Sequence, residues 1–206
     1  MRYPVPDLPA GEWAESELEV EKSRFIAWVC HAPDTAAFEA LLAAARERHP
    51  SASHHCSAFI AGPPGEQTAI GFSDDGEPGG TAGRPMYQVL EGAGLGEVGC
   101  VVTRYFGGTK LGTGGLARAY AQAVARALEA LPRREVVERT PLRLGVDFAG
   151  EAEARAWLAG HDIPVTDADY GADGVVLTVG WPRDAEVDLA PLSSRLRGQL
   201  TLIPDT

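Results

Sequence analysis

The fold is decided by the stretch Gly99-Cys100-Val101-Val102-Thr103-Arg104-Tyr105, which leads directly into Phe106-Gly107-Gly108-Thr109-Lys110-Leu111-Gly112-Thr113-Gly114-Gly115-Leu116. The first seven residues form a nearly continuous apolar run, which is typical of a strand at the centre of a sheet. Beyond the glycines, apolar residues recur at helical spacing and stop before Pro132, at Leu116, Tyr120, Val124, Leu128 and Leu131. The stretch therefore predicts a central strand, a glycine loop and a long amphipathic helix.

Glycine is concentrated in and around this stretch. Of the 24 glycines in the chain, 16 lie between Gly62 and Gly115. Glycine is unfavourable inside helices and strands, so this density indicates positive φ angles or a backbone that another group approaches closely. Just upstream, Ser73–Pro85 mixes glycine and proline with three carboxylates and an arginine. Charged side chains among glycines favour a surface site over a linker.

The charge of the chain is unevenly distributed. The net charge is −11, which argues against indiscriminate binding to nucleic acids or to anionic membranes. Residues 1–99 carry 6 basic and 15 acidic side chains, whereas residues 100–139 carry 7 basic and 3 acidic ones. Only Lys22 and Lys110 are lysines among the 18 basic residues. The basic segment thus coincides with the glycine loop and the helix that follows it.

Further elements are predicted on either side of the acidic loop. Leu8–Glu21 is interpreted as an acidic lead-in, and Ser23–Cys30 as a first strand because it is rich in β-branched and aromatic residues. Asp34 is a candidate N-cap for a helix that ends near Pro50. The remaining predictions are a hairpin of Cys56–Ala61 with Thr68–Phe72 and a short helix over Met86–Glu91.

The last third of the chain has a different character. Pro132–Glu138 is interpreted as a charged linker, and the segments beyond it alternate in a β-α-β-β-α-β order that fits a ferredoxin-like sandwich. We therefore predict an α+β protein with two domains, residues 1–134 and 139–206. The second domain shows no candidate catalytic group.

The glycine loop and the helix after it form a candidate anion site. Backbone N–H groups at the start of a helix, together with its dipole, attract phosphate. The residues that we expect to contact a phosphate or an RNA backbone are Arg104, Lys110, Gly112, Gly114, Gly115 and Arg118, with Arg126 further along the helix. The glycine spacing does not match a nucleotide-binding P-loop. The alternative is that these glycines only build tight turns.

The acidic loop could shape the same cleft. We assign this role to His54, Asp74, Asp75, Glu77, Thr81 and Arg84. Three interpretations stay open: the carboxylates bind a metal and act as acid and base, they cap turns through the backbone, or they pair with Arg84, Arg104 or Arg118. No activated nucleophile is visible, so the structural interpretations are favoured over catalysis and the catalytic residues are unknown.

Several classes of protein are disfavoured by the composition. Three separated cysteines (Cys30, Cys56 and Cys100) argue against a disulfide framework or a structural zinc site. Under the favoured hypothesis we expect no metal and no cofactor. There is no apolar run that suits a membrane helix and no signal-peptide pattern, so we expect a cytoplasmic protein without membrane contact. Of Tyr105 and Phe106, one should face inward, and an exposed one could stack on RNA bases.

The motifs resemble those of the Impact family, in particular its bacterial YigZ-like branch. The resemblance rests on Ser53–Ala58, Ser73–Pro85 and Val101–Tyr120 and covers about residues 18–130. It implies a first domain of the ribosomal-protein β-α-β type and a ferredoxin-like second domain, a pairing similar to the last two domains of elongation factor G, which act on the ribosome. Eukaryotic relatives regulate translation, and no enzymatic activity is established for the bacterial branch.

These observations lead to one favoured function and two alternatives. The favoured hypothesis is a non-catalytic regulator associated with translation, which contacts the ribosome, RNA or a phosphate-bearing ligand through the basic glycine-rich cleft. The first alternative is a metal-assisted hydrolase or phosphatase that uses His54, Asp74, Asp75 and Glu77. The second is an adaptor that binds a regulatory protein and in which the glycine loops merely pack.

Overall fold

Two compact units make up the chain in the computed structural model, which describes residues 1–67 and 69–204. One unit is Tyr3–Val136, and the other is Met1–Arg2 with Val137–Thr206. The strands are β1 (Arg2–Pro6), β2 (Ala14–Val20), β3 (Ser23–His31), β4 (His54–Ile60), β5 (Ile70–Ser73), β6 (Val98–Tyr105), β7 (Arg133–Val137), β8 (Arg139–Asp147), β9 (Val165–Tyr170), β10 (Gly174–Pro182) and β11 (Leu200–Ile203). The helices are α1 (Thr35–Arg48), α2 (Gly83–Gly92), α3 (Gly112–Glu129), α4 (Glu151–Gly160) and α5 (Ala190–Arg195).

The larger unit is built on a five-stranded sheet with β6 at its centre. The strand order is β2-β3-β6-β4-β5, and each neighbouring pair is antiparallel. Seven of the eight β6 residues are buried, because this strand has a neighbour on each side and helices over each face. The apolar run that predicts a central strand is therefore confirmed.

Alternate residues of the sheet face two separate cores. Phe25 of β3 and Val102 of β6 pack with α2 and α3, whereas Trp28 and Val101 pack with α1. Asp34 caps α1 as predicted, since its Oδ1 accepts a hydrogen bond from the Ala37 N–H at 2.8 Å. The sheet thus separates the α1 face from the face on which the glycine loop and α3 lie.

The smaller unit has the ferredoxin-like topology. Its elements follow in the order β8-α4-β9-β10-α5-β11, and its sheet order is β11-β8-β10-β9 with antiparallel neighbours. One core collects Leu144, Leu177 and Trp157 from the sheet and the first of its helices. The predicted α+β fold class with a ferredoxin-like second part is confirmed.

Two predictions of irregular chain are wrong. Residues 14–20 of the supposed lead-in form β2, an edge strand whose glutamates alternate with residues that pack on α3. Residues 133–137 of the supposed linker form β7, which pairs with β1. Thr68, predicted to begin the hairpin's second strand, lies outside the described residues. Within the described ranges, no helix is long and apolar enough to cross a membrane.

Candidate functional site

The glycine loop after β6 is fixed against the turn between β2 and β3. The Gly107 N–H donates to Ser23 Oγ at 3.1 Å, and the Phe106 N–H donates to Ser53 Oγ at 3.1 Å. A Cβ atom on Gly107 would overlap the backbone carbonyl of Lys22. Only glycine permits this close approach, so the loop has one defined position on the end of the sheet.

The turn that the loop packs against has an unusual backbone. Val20 pairs with Ser23, which leaves Glu21 and Lys22 as a two-residue hairpin loop. Both residues are left-handed, with φ angles of 48° and 66°. Positive φ at both positions is the pattern of a type I′ turn, which normally takes Asn-Gly or Gly-Gly. Each non-glycine residue here stores about 1 kcal/mol or more of strain.

A pocket of about 500 Å³ opens between this turn, the glycine loop and α3. Its polar lining comes from Glu21, Thr109, Lys110, Gly115, Arg118 and Gln122. Lys110 and Arg118 are exposed, and neither has an ion-pair partner within residues 1–67 and 69–204. Two cations of the predicted anion site thus share one pocket with the first turn of α3.

The first turn of α3 presents its backbone N–H groups without side-chain competition. The helix begins at Gly112, and Leu111 at the N-cap position makes no capping hydrogen bond. A Cβ on Gly114 would lie 3.3 Å from Arg118 Nη1, so the guanidinium folds back over this turn. The orphan donors of a helix start and its positive dipole end therefore lie beside a cationic side chain.

Arg104, predicted to contact phosphate, is instead buried. Its Nη1 donates to Glu77 Oε1 at 2.6 Å, and its Nη2 donates to Ser23 Oγ at 3.3 Å. The Tyr120 hydroxyl donates to the same Glu77 oxygen at 2.7 Å. Arg104 is 5% exposed, and its charge is paired with that of Glu77 inside the protein. Direct phosphate contact by this residue is therefore wrong, and the ion-pair interpretation of the acidic loop is confirmed for Glu77.

Asp74 is a structural cap for α2. Its carboxylate accepts hydrogen bonds from the N–H groups of Gly80, Ala82 and Gly83 at 2.8, 3.1 and 2.9 Å. Partial burial alone would raise the pKa of Asp74, but these three donors outweigh it and hold the pKa below its ordinary value. The role of Asp74 is thus structural, although its carboxylate caps the start of α2 and not a turn of its own backbone.

Further hydrogen bonds of the acidic loop involve Asp75, Thr81 and His54. Asp75 Oδ2 accepts the N–H of His55 at 2.7 Å, and the Thr81 hydroxyl donates to the Pro78 carbonyl at 2.6 Å. His54 Nδ1 donates to the Asp75 carbonyl at 2.7 Å. Its Nε2 lies 3.7 Å from Glu77 Oε1, which is too long for a hydrogen bond. These groups tie the loop to the start of β4.

The metal-dependent hydrolase interpretation gains no support from this arrangement. Within the part of the chain that the structure describes, His, Cys, Asp and Glu side chains form no group of three or more that could hold a metal ion. The carboxylates of Asp74 and Glu77 are already engaged by backbone donors, Arg104 and Tyr120. Burial raises the pKa of the Cys56 thiol to about 12, so it is not a nucleophile near neutral pH.

The predicted single cleft therefore separates into two sites. One is a buried polar cluster around Glu77 and Arg104, and the other is the open pocket of Lys110 and Arg118. Four further predicted residues are exposed and do not line that pocket: Arg84, Gly112, Gly114 and Arg126. Phe106 is 52% exposed and lies over Arg104, with 5.6 Å between the guanidinium carbon and the ring centroid.

Sequence reasoning missed several residues of these sites, including Ser23 of the buried cluster. Tyr120 was predicted only as part of an apolar helical stripe, although a buried tyrosine hydroxyl needs a partner and could have indicated one. Glu21 and Gln122 line the open pocket. Gln122 lies one turn after Arg118 on α3, whereas no sequence signal places the β2–β3 turn beside the glycine loop.

Comparisons with known proteins agree on one family. The model of the Impact N-terminal domain matches residues 21–128. The IMPACT family member YigZ of Escherichia coli is 40% identical over 186 residues, which cover 90% of this chain and 91% of that protein. An IMPACT family member of Thermus thermophilus is 36% identical over 183 residues, covering 88% of this chain and 97% of the relative.

Solved structures extend the likeness to the whole chain. The crystal structure of a hypothetical protein aligns with a TM-score of 0.69 and 36% identity, covering 100% of this chain and 98% of that one. The two-domain translational regulator Yih1 aligns over 60% of this chain with a TM-score of 0.37, which is too low to carry a structural argument. The motifs, the family model and the relatives that match along most of their length lead to one conclusion: the chain belongs to the Impact family, in its YigZ-like branch.

Proposed function

We propose that this protein is a non-catalytic, translation-associated regulator that binds RNA or another phosphate-bearing ligand in the pocket of Lys110 and Arg118. One observation carries the proposal: two exposed cations, which have no ion-pair partner among the described residues, line one pocket at the uncapped start of α3. The chain has a net charge of −11, and several of its other arginines, such as Arg24 and Arg155, form ion pairs with carboxylates of the protein itself. Cations left unpaired in such a protein are available to an external anion.

The pocket supplies the kinds of contact that a phosphate group requires. Gly115 of the first α3 turn lines the pocket, and backbone N–H groups at a helix start bind anions with help from the helix dipole. Arg118 offers a planar guanidinium that can bind two phosphate oxygens, and Lys110 adds a compact ammonium. The exposed ring of Phe106 on the same loop adds an aromatic face on which a base can stack.

The buried cluster supports the pocket from behind. The ion pair between Arg104 and Glu77 joins the end of β6 to the acidic loop, and Tyr120 joins α3 to the same carboxylate. Ser23 Oγ accepts hydrogen bonds from both Arg104 Nη2 and the Gly107 N–H. The cluster thus fixes the strand end, the glycine loop and the helix that together form the binding surface, which is a positioning role and not a catalytic one.

The biological part of the proposal rests on family membership. The resemblance stated above implies regulation of translation in eukaryotic members, and RNA is the phosphate-bearing polymer that a translation regulator meets. A cytoplasmic location and a ribosomal partner follow from the same proposal. A role as an adaptor for a regulatory protein is the competing outcome that the experiment below separates.

The test measures binding of a fluorescein-labelled single-stranded RNA by anisotropy over a series of salt concentrations. We expect the logarithm of the affinity to fall linearly with the logarithm of salt concentration. The double variant Lys110→Ala/Arg118→Ala should bind more weakly and reduce that slope by about two, one for each lost phosphate contact. The control Arg195→Ala/Arg197→Ala removes two exposed charges from the smaller unit and should change neither the affinity for RNA nor the salt slope.

Two results would overturn the proposal. Binding that ignores salt, or that survives the Lys110→Ala/Arg118→Ala change, would show that this pocket is not the phosphate site. Wild-type protein that binds neither RNA nor inorganic phosphate would leave the adaptor function as the better explanation.

A further inference from the structure

The phosphate pocket contains one carboxylate, that of Glu21. Glu21 is exposed and has no ion pair with Lys110 or Arg118, or with any other cation in the described residues. An ionised carboxylate only accepts hydrogen bonds and repels phosphate. A ligand whose anion binds the two cations would gain a further contact if it also carried a hydrogen-bond donor for this carboxylate.

The position of Glu21 is fixed by a strained backbone. Glu21 and Lys22 both have positive φ in a two-residue turn, where glycine or asparagine would be free of strain. The carbonyl of Lys22 packs directly on Gly107, which holds the turn against the glycine loop. Residues kept in such conformations cluster at binding sites. Strain and close packing thus place the Glu21 carboxylate at the edge of the cationic pocket.

A ligand that contacts all three side chains carries an anion and a hydrogen-bond donor within the span of one pocket. A polyamine offers donors but is repelled by the two cations. Deoxyribose in a DNA strand offers no free hydroxyl, whereas each ribose in RNA carries a 2′-hydroxyl beside its 3′-phosphate. Carboxylates recognise ribose hydroxyls in dinucleotide-binding proteins through the same chemistry. A pocket of about 500 Å³ also has the size of a site for one small ligand, such as a nucleotide.

We propose that Glu21 accepts a hydrogen bond from the 2′-hydroxyl of a ribonucleotide whose phosphate lies on Lys110 and Arg118. The pocket thereby selects RNA over DNA. This inference rests on the proposed function, which requires only phosphate binding and makes no distinction between ribose and deoxyribose. Glu21 acts as a specificity residue, and the cations supply the affinity.

The test compares oligouridine with oligodeoxyuridine of about 12 nucleotides, a length within the range of single-strand binding sites. These probes differ only in the 2′-hydroxyl. Wild-type protein is expected to bind the ribo-oligomer about tenfold more tightly, the size of one hydrogen bond to a charged group. In Glu21→Ala the preference should disappear, while affinity for the deoxyribo-oligomer stays equal or rises because a negative charge is lost.

Three further measurements sharpen the result. Glu19→Ala removes an exposed carboxylate two residues away on β2 and should keep the preference. Oligouridine with 2′-O-methyl groups lacks the donor and should bind the wild-type protein like the deoxyribo-oligomer. Glu21→Gln keeps an acceptor oxygen and should keep part of the preference, which provides a second variant if Glu21→Ala does not fold.

The outcomes distinguish the role of Glu21 from the proposed function on which it rests. Equal, salt-dependent binding of both oligomers by the wild type, or an unchanged preference in Glu21→Ala, would overturn the role of Glu21 and leave phosphate binding intact. Binding of neither oligomer would overturn both. Uridine 3′-monophosphate tests the source of the ribose: weaker binding than the oligomer supports RNA, and equal affinity overturns the assignment to a polymer.

Discussion

Arg104 Nη1 lies 2.6 Å from Glu77 Oε1, and both side chains are buried at the end of the central strand. Replacing Arg104 by methionine keeps the length of the side chain but leaves the Glu77 carboxylate buried without its counter-charge. We expect the free energy of unfolding of the larger unit to fall by about 3–5 kcal/mol, measured by urea titration. Arg118→Met, at an exposed site, should change it by less than about 0.5 kcal/mol.

A second change separates the charge from the packing in this pair. Arg104→Met/Glu77→Gln removes both charges, so it should recover part of the stability that Arg104→Met loses. Additive losses in the double variant would contradict a direct pair between the two side chains.

Gly107 should tolerate no side chain. In Gly107→Ala the new Cβ would overlap the Lys22 carbonyl, which is backbone and cannot swing away. We expect the variant to unfold at a lower urea concentration and to bind RNA more weakly, because the glycine loop and the β2–β3 turn must separate. Gly79→Ala is the matched control, since its Cβ would meet nothing within 4 Å. Equal stability of the two variants would refute the close packing.

Asp74 should contribute stability in a pH-dependent way. Its folded-state pKa lies below the ordinary value, so its contribution is complete above about pH 4 and is lost as the pH falls through the folded-state pKa. Asp74→Ala should cost about 1–2 kcal/mol at neutral pH through the loss of the α2 cap. Urea titrations in the acid range should show the difference from the wild type shrinking. A difference that stays constant with pH would argue against an ionised cap.

Protonation of His55 should lower the free energy of unfolding when the protein is mildly acidified. Burial lowers its pKa, although the His49 carbonyl that accepts from Nε2 works in the opposite direction. The unfolded chain therefore binds a proton more readily, and stability falls as the pH drops below about 6.5 towards the folded-state pKa. His55→Gln should flatten this part of the stability profile, measured by thermal unfolding. His161→Gln in the smaller unit is the control, and an identical effect of both changes would contradict the assignment.

The sequence allows the core elements to be predicted because their patterns are strong. The apolar run of β6 and the helical stripe of α3 are each long enough to specify one kind of element. Strand β2 escapes prediction because Glu15, Glu17 and Glu19 suggest a solvated lead-in, although they alternate with residues that pack on α3. Charged residues on an edge strand prevent it from pairing with other chains. The same charges make the strand difficult to recognise from composition alone.

The candidate site is only partly predictable for a different reason. The sequence offers Arg104 as one of three possible partners for the acidic loop, but it does not show that Arg104 is buried against Glu77, 27 positions earlier. Lys110 and Arg118 are found through their nearness in sequence to the glycine loop. Glu21 is not found, because its place beside them depends on the packing of Gly107 against a turn about 85 positions earlier in the chain.

The pairing of β1 with β7 has a consequence for synthesis of the protein. Tyr3 and Val5 of β1 are buried, but their partner strand begins only at Arg133. At elongation rates of about 5–20 residues per second, roughly 6 to 25 seconds pass between the synthesis of these two strands. During that interval the apolar side chains and backbone groups of β1 lack the partners that they have in the folded unit. Completion of the larger unit is thereby coupled to the arrival of residues 133–137, just before the ferredoxin-like unit is made.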